Sequence, residues 1–277
     1  ADEKVHPASV TKIMTLLLIL EALEEGKIAL SDMVTVSEHA ASMGGSQVYL
    51  EPYEKQTVDT LLKCIAVASA NDACVAMAEH ISGSEGDFVK LMNARAEELG
   101  MSNTHFVNCC GLDAEEHLTT ARDVALMSRE LLRNHPQIHE YCTIWMENIT
   151  HQTARGSFEF GLTNTNKLIR QYEYATGLKT GYTSVAGFCV SASAKKDNIE
   201  LVAVIMGGAD SKSRFQDAIT LLNSGFACCS LYQDTDPVPL PKLPVKGGVA
   251  DTVTLKYAGT FSYVSTDGTN LNQIERT

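Results

Sequence analysis

Nothing in this chain is apolar for long enough to cross a bilayer. Even the run at residues 13–20, "IMTLLLIL", carries Thr15 and falls far short of the roughly 20 residues that span a hydrocarbon core, so it reads as a buried helix. Basic side chains are in short supply: 22 Lys and Arg stand against 34 Asp and Glu, for a net charge of −12. That sign is wrong for gripping a phosphate backbone by counterion release, so nucleic acid is not an expected partner. The first residues show no basic segment, apolar stretch and small-residue cleavage site in succession, so a leader, if the protein is exported, is expected to have been removed already.

Proline is sparse until late. Of seven prolines, four stand at 237, 239, 241 and 244, which makes residues 236–248 an extended linker or edge segment. Cysteine is plentiful, with eight residues at 64, 74, 109, 110, 142, 189, 228 and 229, but a chain of 277 residues with two adjacent pairs lacks the look of a small disulfide framework. Small buried hydrophobes kept reduced are the favoured reading. A loop could gather His105, Cys109, Cys110 and His117 around zinc, yet their spacing matches no standard ligand pattern.

What is present is an ordinary globular composition, 44% hydrophobic and 20% charged, with enough chain to bury a real core. A helix is expected over residues 9–25, apolar nearly all round and stopped by Gly26, and such a helix belongs in the centre of a domain. Residues 34–36 suggest a short strand and 43–46 a glycine-rich turn. Two apolar helices, 58–68 and 72–81, flank a polar break at Ser69-Ala70-Asn71. Ser84 with Asp87 and Thr120 with Asp123 open helices to Leu99 and to about Arg133. Beyond Trp145 the pattern turns to strand: residues 188–194 and 199–206 read as a hairpin around Lys195-Lys196-Asp197-Asn198, and a last helix runs over 211–228. Short strands at 253–257 and 260–265 follow the proline-rich segment.

The opening segment "HPASVTKIMT" places Ser9 and Lys12 three residues apart, on one face of a helix. A serine hydroxyl is a weak nucleophile until a base takes its proton, and a lysine serves when its charged form is disfavoured by burial or a second cation. The helix N-terminus adds a positive partial charge that favours an oxyanion. Alone the pattern is weak, because a serine there is more often a cap and a lysine one turn on more often solvated. Two further elements change the weighting: the polar break Ser69-Ala70-Asn71, and Lys179-Thr180-Gly181 after Gly177 at the start of a strand. Ser-x-x-Lys, Ser-x-Asn and Lys-Thr-Gly in that order form the signature of the penicillin-recognising serine enzymes.

On these motifs, and on "GGSQVYLEP", "VASANDACVAMAEHISGS", "THFVNCCGLD" and "TGLKTGYTSVAGFCVSASA", the chain resembles the low-molecular-weight penicillin-binding proteins, serine-type D-alanyl-D-alanine carboxypeptidases of the bacterial cell wall. The resemblance covers about residues 1–230. It implies an α+β fold: a β-lactamase/transpeptidase-like domain with an antiparallel sheet and a helical subdomain over 1–230, a proline-rich linker over 231–248, and the start of a small β domain over 249–277. Family members begin with a helix and two strands before the nucleophile, and only eight residues precede Ser9, so the sheet is expected to lack strands.

The resemblance implies Ser9 as nucleophile, Lys12 as its base, Ser69 as proton relay to the leaving amine, and Lys179 as a charge beside the serine oxygens and the substrate carboxylate. Asn71 would hold the acyl side of the substrate. Thr180, followed by Gly181, would bind the carboxylate together with Thr183, and the Ser9 and Tyr182 N–H groups would form the oxyanion hole. The implied partners are a peptidoglycan stem peptide ending in D-Ala-D-Ala and, as covalent inhibitors, β-lactams. No metal and no cofactor is implied. The implied compartment is the cell envelope, with membrane attachment only through an amphipathic tail that this chain lacks. The arginine that better-known members place before the Lys-Thr-Gly strand is replaced by Asn164-Thr165-Asn166-Lys167, which leaves the carboxylate partner open.

The rivals are a class A β-lactamase, for whose glutamate-bearing loop no convincing counterpart lies between Asn71 and Lys179, an endopeptidase acting on a similar dipeptide, and a non-catalytic binding module. His135 and His139 read as surface residues at a helix start, Glu24-Glu25 and Glu97-Glu98 as solvated faces, and the single Trp145 as a packing residue.

Overall fold

The greasy run behind Ser9 does become the central helix, with its first turn wound more tightly than expected. In the computed structural model, which describes residues 1–267, a 3-10 turn over Ala8–Thr11 leads into α1, Lys12–Glu24. Ile13, Met14, Leu16, Leu17 and Ile19 of α1 are wholly buried, so burial on all sides rather than amphipathicity holds it. Gly26, at φ +68°, lets the chain turn away.

The chain divides into two compact units, residues 1–195 with 200–222, and residues 196–199 with the chain from 223 onward. In the first, β1 (Met33–Thr35), α2 (Glu38–Ala41) and β2 (Lys55–Thr57) precede α3 (Val58–Val67) and α4 (Asn71–Ser82). The expected polar break falls between α3 and α4. Helix α5 (Glu85–Glu98) starts at Ser84, whose hydroxyl accepts from Asp87 N–H, and α6 (Ala121–Asn134) starts at Thr120, which accepts from Asp123 N–H. Then come α7 (Ile138–Cys142), the hairpin β3 (Met146–Thr153) and β4 (Gly156–Thr163), and α8 (Leu168–Gln171).

The principal sheet, ordered β5-β6-β7, consists of β5 (Ala175–Thr183), β6 (Gly187–Lys196) and β7 (Ile199–Gly208). β5 and β6 are antiparallel, with Lys179 opposite Ser191. Asp197 and Asn198, both at positive φ, make the tight turn expected between β6 and β7. Lys179-Thr180-Gly181 lies in the second half of β5 rather than at a strand start, because the pairing extends back to Ala175. Helix α9, Ser211–Cys228, follows. In the second unit, β8 (Ser230–Gln233), β9 (Lys242–Pro244), β10 (Thr252–Thr254) and β11 (Ser262–Ser265) form two antiparallel pairs, β8 with β11 and β9 with β10. The part of the expected β domain at 268–277 lies outside the described residues.

Two expectations need correction. His135 is buried, not on the surface: it follows the C-terminal end of α6 and its Nδ1 lies 3.5 Å from Glu24. His139 is half-buried and reaches Glu200 at 3.1 Å, a partner brought from β7. The hairpin of β3 and β4 was only a general expectation of strand, because its inward positions on β3 are Ile149 and the buried His151, which pairs with the buried Glu54 at 2.9 Å. A histidine on a core face leaves no apolar alternation to read. Trp145 packs beneath the guanidinium of Arg170.

Candidate active site

Three backbones converge on Ser9. Ala8, just before it, is buried at φ +48°, a left-handed conformation that turns the serine out of the chain. The second backbone is β5, whose Gly181 comes so close that a Cβ there would stand 2.9 Å from Pro7 O and 3.0 Å from Ser9 N. The third is the segment at 109–111: a Cβ on Gly111 would stand 1.8 Å from Ala8 O.

Lys12 is wholly buried, and its ammonium donates to Ser9 Oγ at 2.9 Å and to the Cys110 carbonyl at 2.7 Å. One turn further along α1, Thr15 donates to the Cys109 carbonyl at 2.7 Å. Thr11 is held from the other side by His117. Val107 N–H donates to His117 Nδ1, so the proton sits on Nε2, which donates to Thr11 Oγ1 at 2.8 Å. Burial, with His6, His105 and Lys12 nearby, holds His117 neutral, its pKa down at about 4.

Ser69 stands in the break between α3 and α4 at φ +62°. Among the described residues, no partner reaches its buried Oγ or the buried Oδ1 of Asn71. Strained backbone carrying buried polar atoms is characteristic of functional sites. Asn71 Nδ2 donates to Gly44 O at 2.7 Å. Next to it Asp72, buried at the head of α4, accepts from the N–H groups of Val48, Leu50 and Ala73, which fixes the loop facing Asn71. Burial raises the Asp72 pKa against the pull of those bonds.

Lys179 is also buried, and burial together with the nearby Lys12 charge lowers its pKa to about 7. The unfolded chain therefore keeps a proton that the folded one loses between about pH 7 and 10.5, so stability rises with pH across that window. The cost of the buried charge is fully present below pH 7 and amounts to a few kcal/mol. Urea unfolding of the wild type against Lys179→Met, followed from pH 7 to 10, is expected to show the wild type gaining relative to the variant. A constant difference would contradict the shift.

The structure thus brings Ser9, Lys12, Lys179 and Gly181 together. Thr180 follows on the same strand, its hydroxyl 2.8 Å from that of Thr165. Asn71 joins through its carbonyl, 3.5 Å from Cys110 Sγ. The exposed Tyr182 ring stacks on Phe188 at 4.2 Å, which leaves its expected backbone role untouched, and the Thr183 hydroxyl donates to Asp113 at 2.8 Å. Four participants escaped the sequence reading: Asp72, the Cys110 carbonyl, Thr165 and Arg214. Arg214, buried near the start of α9, donates through Nη1 to Gly181 O at 3.0 Å and Cys189 O at 3.1 Å, and its buried Nε has no partner among the described residues. Asp72 alone left a signal, as a charge beginning the apolar stretch 73–78.

The family model of D-alanyl-D-alanine carboxypeptidases matches residues 1–210. The chain is 44% identical to D-alanyl-D-alanine carboxypeptidase DacF of Bacillus subtilis over its whole length, and 35% identical to DacA of Escherichia coli over 92% of it. It spans 70% of the first protein and 63% of the second. Penicillin binding protein 5 from Haemophilus influenzae superposes with a TM-score of 0.79 at 31% identity, covering 96% of this chain and 77% of that one. The α+β architecture is therefore that of the penicillin-binding transpeptidase-like fold.

Proposed function

The chain belongs to the D-alanyl-D-alanine carboxypeptidase family, and we propose that its site removes the terminal D-alanine from peptidoglycan stem peptides through an acyl-enzyme on Ser9. The observation that carries this reading is the 2.9 Å approach of the buried Lys12 amine to Ser9 Oγ. In its neutral form that amine takes the hydroxyl proton as Oγ attacks the carbonyl between the two D-alanines. The developing oxyanion is met by the N–H groups of Ser9 and Tyr182, at the place where Gly181 lets β5 approach the Ser9 backbone.

Ser69 passes a proton to the leaving amine, the C–N bond breaks, D-alanine departs, and water then hydrolyses the ester. Asn71 holds the acyl side of the substrate. The terminal carboxylate, lying along β5, meets Thr180 and the charge of Lys179, and Arg214 supplies the cation that the sequence reading left open. A β-lactam is attacked in the same way, but its acyl-enzyme hydrolyses slowly and accumulates. The substrate is part of the cell wall, so the working compartment is the cell envelope.

The direct test is to incubate the protein with a peptide ending in D-Ala-D-Ala and assay free D-alanine, alongside benzylpenicillin followed by intact mass. The expected result is release of D-alanine together with a persistent penicilloyl adduct. Rapid turnover of penicillin without release of D-alanine would overturn the reading in favour of a β-lactamase.

A further inference from the structure

Beneath the nucleophile lies a group of side chains that the proposed acyl transfer does not use. Cys109 and Cys110 are buried, and Glu85, from the first turn of α5, points between them and solvent. The two histidines of the loop do not join the cysteines: His117 is committed to Thr11 and Val107, and His105 is exposed. Among the described residues, Glu85, Cys109 and Cys110 bring three metal-capable atoms within 4.8 Å of one another.

We propose that Cys109, Cys110 and Glu85 form a binding site for a thiophilic divalent cation of the zinc class. The two sulfurs are 3.6 Å apart and Cys109 Sγ is 3.4 Å from Glu85 Oε1. Two sulfur ligands at about 2.3 Å around a tetrahedral zinc stand about 3.8 Å apart, and a sulfur and a carboxylate oxygen about 3.5 Å, close to those two separations, while Glu85 and Cys110, within 4.8 Å of each other, would draw together on binding. The second carboxylate oxygen is already oriented by His39 Nε2 at 3.0 Å, the kind of outer partner that metal-ligating carboxylates carry. The buried Cys74, beside the Cys110 thiol, is the next sulfur inward.

An entry path exists on the same side, since the Glu85 side chain is 18% exposed and that of His39 55%. Two thiols release their protons to solvent on binding, and two thiolates with one carboxylate carry −3 against +2 for the ion. The single negative charge that remains lies toward Lys12, whose amine the Cys110 carbonyl already holds. Occupancy would pin the two carbonyls on which Thr15 and Lys12 rest.

The test uses the full chain, reduced and freed of metal, in a Cys228→Ser/Cys229→Ser background that removes the other adjacent pair. Zinc is titrated against a chromophoric chelator, and cobalt is followed by its thiolate charge-transfer band in the near ultraviolet. The expected result is one tight equivalent, a thiolate band, and a Tm that rises with zinc concentration. Cys109→Ser should weaken binding at least about 100-fold and abolish the Tm response, and His39→Ala should weaken it about tenfold. If Cys109→Ser does not fold, Glu85→Gln, at a partly exposed carboxylate, decides in its place. The absence of a tight equivalent, a cobalt spectrum without thiolate character, or undiminished binding in the folded Cys109→Ser or Glu85→Gln variant would overturn the proposal.

Discussion

Ser9→Ala is expected to yield no covalent adduct with a fluorescent penicillin and no release of D-alanine, while its thermal unfolding stays close to wild type. The hydroxyl removed is only partly buried and accepts a single bond from Lys12. Its loss opens no cavity of consequence, so a fall in activity cannot be assigned to unfolding. Lys12→Met should leave Ser9 in place but slow acylation by about 10²–10⁴-fold, the usual contribution of a general base. The methionine fills the apolar channel that the lysine stem occupied and leaves the Cys110 carbonyl without its donor, at a cost of about 1–3 kcal/mol in stability. Because base and nucleophile act as one unit, the double variant should be no worse than Ser9→Ala alone. Intact-mass time courses on the three variants check this. An unchanged adduct on Ser9→Ala, or wild-type acylation in Lys12→Met, would remove the assignment.

Gly111→Ala is expected to damage fold and site together, although it adds one methyl group. Gly111 sits at φ +87°, and its Cβ would stand 1.8 Å from Ala8 O, 2.4 Å from Ala8 C and 2.9 Å from Thr11 Oγ1. The backbone on one side or the other must move, and the nearest carbonyls on the glycine side are those that hold Lys12 and Thr15. Backbone incompatibility and overpacking together should cost about 3 kcal/mol or more. Acylation should fall with the displacement of Lys12. Gly83 separates the two causes: it has nearly the same φ, +80°, but open space where a Cβ would go. Gly83→Ala should therefore cost about 1 kcal/mol and leave acylation unchanged. Paired urea titrations and penicillin-binding rates read both effects, and equal destabilisation by the two variants would mean that conformation, not close approach, explains the glycine.

Much of this was legible along the chain because it is local. Ser9 and Lys12 meet through helical spacing, the caps at Ser84 and Thr120 bond three residues on, and Asp197-Asn198 turns two adjacent strands. Local geometry needs no knowledge of the rest of the fold. The hairpin at 146–163 was harder to read because its buried face rests partly on a polar pair, Glu54 with His151, and not on aliphatic alternation. His135 was misjudged because the group it meets, Glu24 at the end of α1, lies more than a hundred residues away in sequence.

The sequence by itself determined the candidate groups and the order in which they occur, because a short motif carries its own spacing and its own chemistry. Only the tertiary structure decided their state and their company. Lys179 is held near pKa 7 by burial in the fold and, second to that, by the charge of Lys12 brought beside it from a segment far away in the chain. Arg214 reaches the Gly181 carbonyl from a helix beyond the sheet. Glu85 meets Cys109 and Cys110, a neighbour that nothing in their own segment announces. Charge coupling, burial and donor sets depend on distances across the folded chain, and no local pattern encodes those distances.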